Sequence, residues 1–307
     1  MRLLVLGTAA GGGVPQWNCA CPGCAAARAE PGRRRRHASI AVEAGAGRWY
    51  IVNATPDIGE QIEECGPLHP GPERRATPVA GVILTDAELD HTLGLPRLRE
   101  ADGVRIVATG AVRSALSAGL RLDRVLAPYT RLTWTDLALT APEPLEGGPL
   151  EGGPLEVQGI RVSGKRPRYA VELPGAPGGD DAWVVALRIR DRRDGRAVVY
   201  APALGVWPDE LDRAIKDADC VLVDGTFWDD EEPRRTGCSS RTSTEMGHLP
   251  ITGPGGTAER LADVPAARRL YTHLNNTNPL VDPDDAGHRR LAASGIEVAR
   301  ERMVIEL

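Results

Sequence analysis

The chain has 307 residues and a formal net charge of −5, and it lacks an apolar run long enough to span a membrane. That balance argues against non-specific nucleic-acid binding, and the four arginines 33–36 read as a solvated loop. The N-terminus shows no signal-peptide pattern, so a cytoplasmic location is expected, with the six cysteines serving as metal ligands or buried thiols rather than disulfides. In chain order, strands are predicted at 3–6, 39–42, 49–52, 80–84, 104–108, 155–162, 183–189, 197–200, 220–223, 270–272 and 303–305, where β-branched and apolar residues concentrate. Helical patterns fall at 57–64, 92–99, 111–118, 209–217, 258–261 and 284–293. The first half has hairpin-like strand spacing and the second alternates strands with helices, which favours two mixed sheets covered by helices over a doubly wound parallel sheet. Residues 144–156 read PLEGGPLEGGPLE, an exposed loop lengthened by duplication.

The first strand runs into Gly11, Gly12 and Gly13, and the cluster Cys19-x-Cys21-x-x-Cys24 follows in the loop 18–24. Its spacing is too tight for mutual disulfides and suits three thiolates converging on one tetrahedral metal, zinc above all. A redox pair Cys21/Cys24 would need a thioredoxin-like setting, which the surrounding sequence lacks. Residues 80–95 then read strand, loop, helix, with Asp86, Glu88 and Asp90 at alternate positions and His91 opening the helix. Alternation can turn the three carboxylates to one side of an extended loop, a pattern that suits a divalent metal; a solvated acidic turn is the other reading. His273 stands directly after an apolar strand, a usual ligand position, although a lone histidine there is more often a satisfied core residue.

The order of strand, glycine loop, Thr85-Asp86-x-x-x-Asp90-His91 and terminal strand with His273 resembles the metallo-β-lactamase superfamily. The closer resemblance is to the pyrroloquinoline quinone (PQQ) biosynthesis B family. It is carried by GTAAGGGVPQWNCACPGC at 7–24, TPDIGEQI at 55–62, LTDAELDHTLGLPRLRE at 84–100, YAPALG at 200–205, DGTFWDDEE at 224–232, MGHLPITGP at 246–254 and HLNNTNPL at 273–280. The resemblance implies an αββα four-layer sandwich of two mixed sheets, one domain over 1–307.

The departures from the superfamily are chemical. Where it carries H-x-H-x-D-H, this chain has Asp86-x-Glu88-x-Asp90-His91; no histidine lies between His91 and His248, and Ala203 occupies the place of a bridging aspartate. Asp90, His91 and His273 survive, and two imidazoles with one carboxylate suit non-haem Fe(II) and O2, while a single zinc with a bound water would use similar ligands. By the same resemblance Asp224 orients His248 or His273, with direct ligation after rearrangement as the alternative. His248 matches a histidine placed over the metal as a proton donor, and is also a candidate fourth ligand of the cysteine site. Relatives with the same cysteine spacing use a histidine at the position of Asn276, a poor zinc ligand, so His248 and Cys238 remain alternatives. His37, His69 and His288 are expected at the surface, and Cys65 and Cys220 as buried thiols.

The implied activity is Fe(II)- and O2-dependent hydroxylation of the tyrosine-derived ring of a cross-linked Glu-Tyr precursor of PQQ. Asp90, His91 and His273 would hold iron and Cys19, Cys21 and Cys24 a structural zinc. His248 would move protons, and Asp86, Glu88 or Asp224 would hold the substrate's amines or tune the ligands. Arg97 and Arg99 would meet its carboxylates or simply form a solvated helix face. The expected partners are this small molecule and O2, with no nucleic acid and no membrane; a homodimer is left open. Two rivals remain: a zinc hydrolase of the same pathway, and a non-enzymatic carrier of PQQ or its precursor to the periplasm.

Overall fold

Two seven-stranded sheets stack face to face. The structure, a computed structural model, describes residues 1–145, 153–173 and 182–307. The first sheet contains β1 (Arg2–Gly7), β2 (Ser39–Glu43), β3 (Trp49–Val52), β4 (Val79–Ile83), β5 (Gly103–Ala108) and β6 (Arg131–Asp136). The second contains β7 (Glu143–Pro144), β8 (Leu155–Ser163), β9 (Val184–Asp191), β10 (Ala197–Ala201), β11 (Cys220–Asp224), β12 (Arg268–Thr272) and β13 (Glu297–Val298). The last strand, β14 (Val304–Glu306), returns to the first sheet against β1. The orders are β14-β1-β2-β3-β4-β5-β6 and β13-β12-β11-β10-β9-β8-β7.

Side-chain alternation explains why both faces of each sheet are covered. Leu3, Val5, Ile40, Val42, Tyr50 and Val52 point into the inter-sheet core with Leu187, Val198, Tyr200 and Leu222. Their neighbours Leu4, Leu6, Ala41, Trp49 and Ile51 pack outward with Ile58 of the Ile58–Glu63 helix. On the other sheet Val199, Ala201, Val221 and Val223 pack outward with Leu211, Ile215 and Leu261 of covering helices. Strands apolar on both faces belong between two layers, so four layers result.

Each sheet is antiparallel at one end and parallel at the other. β1, β2 and β3 pair antiparallel, then β3 through β6 run parallel; β8, β9 and β10 pair antiparallel, then β10 through β13 run parallel. The expected division into a hairpin half and an alternating half is therefore corrected: both halves carry hairpins first and crossovers second. The predicted strands all form, and β6, β7 and β13 are additional, being short or half-exposed and so weakly patterned. The helix expected at 92–99 is a turn of α-helix at Leu89–Thr92 followed by a 3₁₀ turn at Leu95–Leu98. Gly94 separates them because the chain passes so close to the preceding loop that a Cβ there would lie 2.0 Å from the Thr55 carbonyl oxygen. Of the duplicated segment, 146–152 lies outside the described residues, but its flanks are not exposed loop: Glu143 pairs with Val157, and Leu145 and Leu155 are buried. The arginine run is not simply solvated either. Arg35 bonds Thr8 Oγ1 and the Ala299 carbonyl, Arg36 pairs with Glu64, and Arg33 with Asp282.

Candidate functional site

The C-terminal ends of β1, β3, β4, β11 and β12 meet at one edge of the sandwich, and the loops leaving them carry the predicted side chains. β4 feeds Thr85, Asp86, Glu88, Asp90 and His91; β11 ends at Asp224, paired in register with Thr272; His273 follows at once. His273 has φ of 60°, a left-handed conformation uncommon for a residue other than glycine. It is held there from both sides, since Leu274 N donates to Thr8 O (2.8 Å) and Asn275 N to Thr226 O (3.0 Å). Asn278 Nδ2 donates to the Gly225 carbonyl at 2.8 Å and so ties the loop after His273 to the end of β11.

Asp90, His91 and His273 bring one ligand atom each within 4.8 Å of one another. Asp90 Oδ2 lies 3.7 Å from His91 Nε2 and 3.5 Å from His273 Nε2. Hydrogen bonds on the far side of each ring set the tautomers. His91 Nδ1 lies 2.7 Å from Asp86 Oδ2, and acting as donor there it turns Nε2 toward Asp90. Thr226 Oγ1 donates to Asp224 Oδ1 (2.5 Å), so it accepts from His273 Nδ1 (2.8 Å), again leaving Nε2 with its lone pair toward Asp90. His91 Nε2 is buried and without a hydrogen-bond partner. Two imidazole lone pairs and a carboxylate facing one another fit a cation between them, and this donor set suits iron or zinc.

The charges reinforce this reading. Burial alone would lower the His91 imidazole, but Asp86 and Asp90 outweigh it and push it up to about 9. Burial would raise Asp90, yet the His91 and His273 imidazoles hold it far below the usual carboxylate range. Burial pushes His273 down. Without a metal the site therefore keeps a proton where a metal would sit.

Asp86 and Asp224 are buried behind these rings. Asp86 accepts from Thr85 Oγ1 (2.7 Å), from Glu88 N (2.9 Å) and from His91; Asp224 accepts from Leu204 N (2.8 Å), Thr226 N (2.9 Å) and His248 Nδ1 (2.7 Å). Neither carboxylate is free to hold a substrate amine, which leaves the other expected role, tuning the ligands: Asp86 bonds His91 and Asp224 bonds His248. Although Asp224, His248 and His273 also bring ligand atoms within 4.8 Å, their facing atoms are already joined through Thr226 and the Asp224–His248 contact. His248 stacks on His273 with ring centroids 5.7 Å apart, and its bond to Asp224 leaves Nε2 as its proton-accepting atom. Glu88 alone of the outer carboxylates is substantially exposed. Arg97 pairs with Glu60 at 3.4 Å and Arg99 with Glu100 at 3.6 Å: they form the solvated face rather than part of the site.

The three cysteines form a second centre. Their sulfurs lie within 4.8 Å of one another. Cys24 sits in the first turn of the Pro22–Ala29 helix, which begins on Pro22 and was not predicted. Arg28 pins the loop by bonding Cys19 O (2.6 Å) and Gln16 O (2.7 Å). Burial and the neighbouring Cys21 hold the Cys24 thiol up at about 11, against a hydrogen bond from Gln16 N. The residue that closes the cluster is Asn276, whose Nδ2 lies 3.2 Å from Cys19 Sγ and 3.3 Å from Cys21 Sγ. Exchanging the amide's N and O, which rotation about one bond achieves, would turn Oδ1 toward a metal. Cys238 is exposed and His248 is bound to Asp224, so neither takes that place.

The Beta-lactamase superfamily domain matches residues 48–274. The chain is 41% identical to coenzyme PQQ synthesis protein B of Azoarcus sp. (strain BH72), over 100% of both sequences. The same named protein of Cupriavidus necator is 41% identical over 99% of this chain and 98% of its own. The chain belongs to the coenzyme PQQ synthesis protein B family. A crystal structure of Zn(2+)-bound PqqB from Methylobacterium extorquens superposes with a TM-score of 0.88 at 33% identity, covering 100% of both chains. A diphosphatase from the PhnP family superposes with a TM-score of 0.68 at 17% identity, over 100% of this chain and 97% of its own, and shows the shared fold alone. The fold is thus the metallo-β-lactamase fold with two mixed sheets, as the sequence implied.

This member of the PQQ synthesis protein B family also uses residues that sequence reasoning missed. His37, expected at the surface, is largely buried: its ring Nδ1 lies 3.1 Å from Asp57 Oδ2, and Thr55 Oγ1 donates to Asp57 Oδ1 at 2.7 Å. The ring backs the glycine turn, where a Cβ on Gly13 would meet it at 3.6 Å and one on Gly11 would meet Asp90 Oδ2 at 3.4 Å. Asn53 ties β3 to the site by accepting from Thr85 N at 3.0 Å. Thr226 was visible only as part of a motif; nothing in a lone threonine announces that its hydroxyl links Asp224 to His273. His69 is exposed and His288 half-buried, while Cys65 and Cys220 are buried thiols as expected.

Proposed function

We propose that this chain acts in the biosynthesis of PQQ as a metal-dependent enzyme that hydroxylates the tyrosine-derived ring of the cross-linked Glu-Tyr precursor with O2 and carries it to the quinone, one oxygen atom entering the ring and the ring's own two electrons and two protons reducing the other to water. The observation that carries the reading is the pair of Nε2 lone pairs, from His91 and His273, aimed at Asp90, with Asp86 and Glu88 where hydrolases of this fold would place further imidazoles. Two imidazoles and a carboxylate leave open positions and match the donor set of Fe(II) sites that activate O2, which is the chemistry the metal would supply when bound. The full-length likeness to proteins named coenzyme PQQ synthesis protein B supports the pathway. Cys19, Cys21 and Cys24, with Asn276, would hold a separate structural zinc.

The chain's own residues have clear tasks in that reading. Asp86 fixes His91, and Asp224 through Thr226 fixes His273, so that both rings present Nε2. His248, with Nδ1 held by Asp224, offers Nε2 to accept the proton of a ring hydroxyl and return it.

The test is isotopic. Protein loaded anaerobically with Fe(II) receives the tyrosine-derived diamino acid precursor and then ¹⁸O2, with a control for solvent exchange of quinone oxygens. Label in the ring product is expected. Turnover with Zn2+ under nitrogen, without turnover on Fe(II) and O2, would move the assignment to a hydrolase; binding without turnover on either metal would leave a carrier.

A further inference from the structure

Once Arg97 and Arg99 are placed on the outer face, the site has no arginine from that helix to meet a substrate carboxylate, and a different cation stands at its mouth. Lys165 is one of two lysines in the chain; the other, Lys216, is paired with Asp212 at 2.7 Å on a covering helix. Lys165 lies just past the end of β8, and its Nζ donates to the Met246 carbonyl at 2.7 Å. Its stem runs over Gly247, where an added Cβ would meet Lys165 Cδ at 2.9 Å. This puts the ammonium beside the loop that carries His248.

Across from it is Glu88, on the loop that carries Asp86, Asp90 and His91. Lys165 Nζ and Glu88 Oε1 are 4.0 Å apart, too far for a hydrogen bond, and the two side chains are 41% and 38% exposed while the metal-facing groups are nearly buried. Glu88 is anchored by its backbone, which donates from N to Asp86 Oδ1 (2.9 Å) and accepts at O from Thr92 Oγ1 (2.8 Å), leaving the carboxylate at the rim. The two form a loose ion pair, each member fixed to a different loop of the site, and present opposite charges side by side to a zwitterion approaching from the solvent side.

We propose that Lys165 and Glu88 together recognise an α-amino-acid end of the substrate, Lys165 taking its carboxylate and Glu88 its ammonium group. This rests on the proposed function in that it names how that substrate class is held at the same site. Lys165 is a specificity-determining residue here and takes no part in the bond changes.

The experiment is calorimetric binding of the cross-linked Glu-Tyr diamino acid to Zn2+-loaded protein under nitrogen, so that oxidation does not intervene. Lys165→Met is expected to weaken binding about 10–100-fold, the effect of one charged hydrogen bond, with Lys165→Arg recovering most of it. A methyl-ester form of the ligand should bind wild type with the same loss and be indifferent to Lys165→Met; an N-acetyl form should behave likewise toward Glu88→Gln. These ligand-matched losses separate recognition from a role of Lys165 in merely holding the Met246 carbonyl, which would weaken every ligand alike. Binding of the diamino acid to Lys165→Met within twofold of wild type, or equal losses for acid and ester, would overturn the inference and leave the functional reading standing. Failure of wild type itself to bind the diamino acid would overturn both.

Discussion

The two centres are built in opposite ways although they share one stretch of chain. The cysteine centre draws three of its groups from six consecutive residues, held by a helix start and Arg28. The carboxylate–histidine centre draws on residues far apart in sequence, Asp90 and His91 after β4 and His273 after β12, and each ring needs a partner behind it. Asn276 touches the cysteines three residues after His273, so the loop leaving β12 serves both. A locally encoded site depends on the spacing of its own residues; a site assembled from distant strand ends depends on the sheets and on the carboxylates and hydroxyls that fix its rings. The first is a staple, the second a product of the fold.

Removing one group from each centre tests that contrast most sharply. His91→Ala should abolish turnover and weaken the catalytic metal by more than about 100-fold while keeping one zinc per chain, read by metal analysis alongside activity; retained turnover would remove His91 from the site. Asp86→Asn, which leaves every ligand in place, should still lower affinity for the catalytic metal about 10–100-fold, measured by competition with a chelator. Cys21→Ser should lose the zinc and lower the melting temperature by roughly 5–10 °C, with the catalytic metal still bindable; equal loss of both metals in a folded variant would merge the two sites into one.

The proton held by His91 gives a smaller, graded effect. Asp86 and Asp90 raise this ring to about 9 in the metal-free protein, above its ordinary 6.5. The raised value means its contribution to stability is fully present below about 6.5 and is lost as pH rises through about 9. Metal must displace that proton, so affinity should climb with pH up to about 9, at roughly tenfold per unit. A calorimetric titration in buffers of different ionisation enthalpy counts the released proton; a flat profile would mean that His91 is already neutral. Arg97→Ala, on the outer face, should change neither metal nor turnover and should shift stability by no more than about 0.5 kcal/mol.

The chain dictates much of this by itself. Apolar runs such as Leu3 to Leu6 and residues 220–223 mark strands, and their spacing among helical patterns favours two mixed sheets covered by helices, while the four-layer αββα class came from the family resemblance. The cysteine spacing and the Asp90-His91 pair are local signals that survive without a fold. The folded sandwich decided the rest, because hydrogen-bond partners and burial are properties of space. It put Thr226 between Asp224 and His273, moved His37 inward onto Asp57, turned Arg97 and Arg99 away, and set Lys165 opposite Glu88 across more than seventy intervening residues. A side chain's type names the chemistry it can do; which atom it presents, and to what, is fixed only when distant strand ends are brought to one edge.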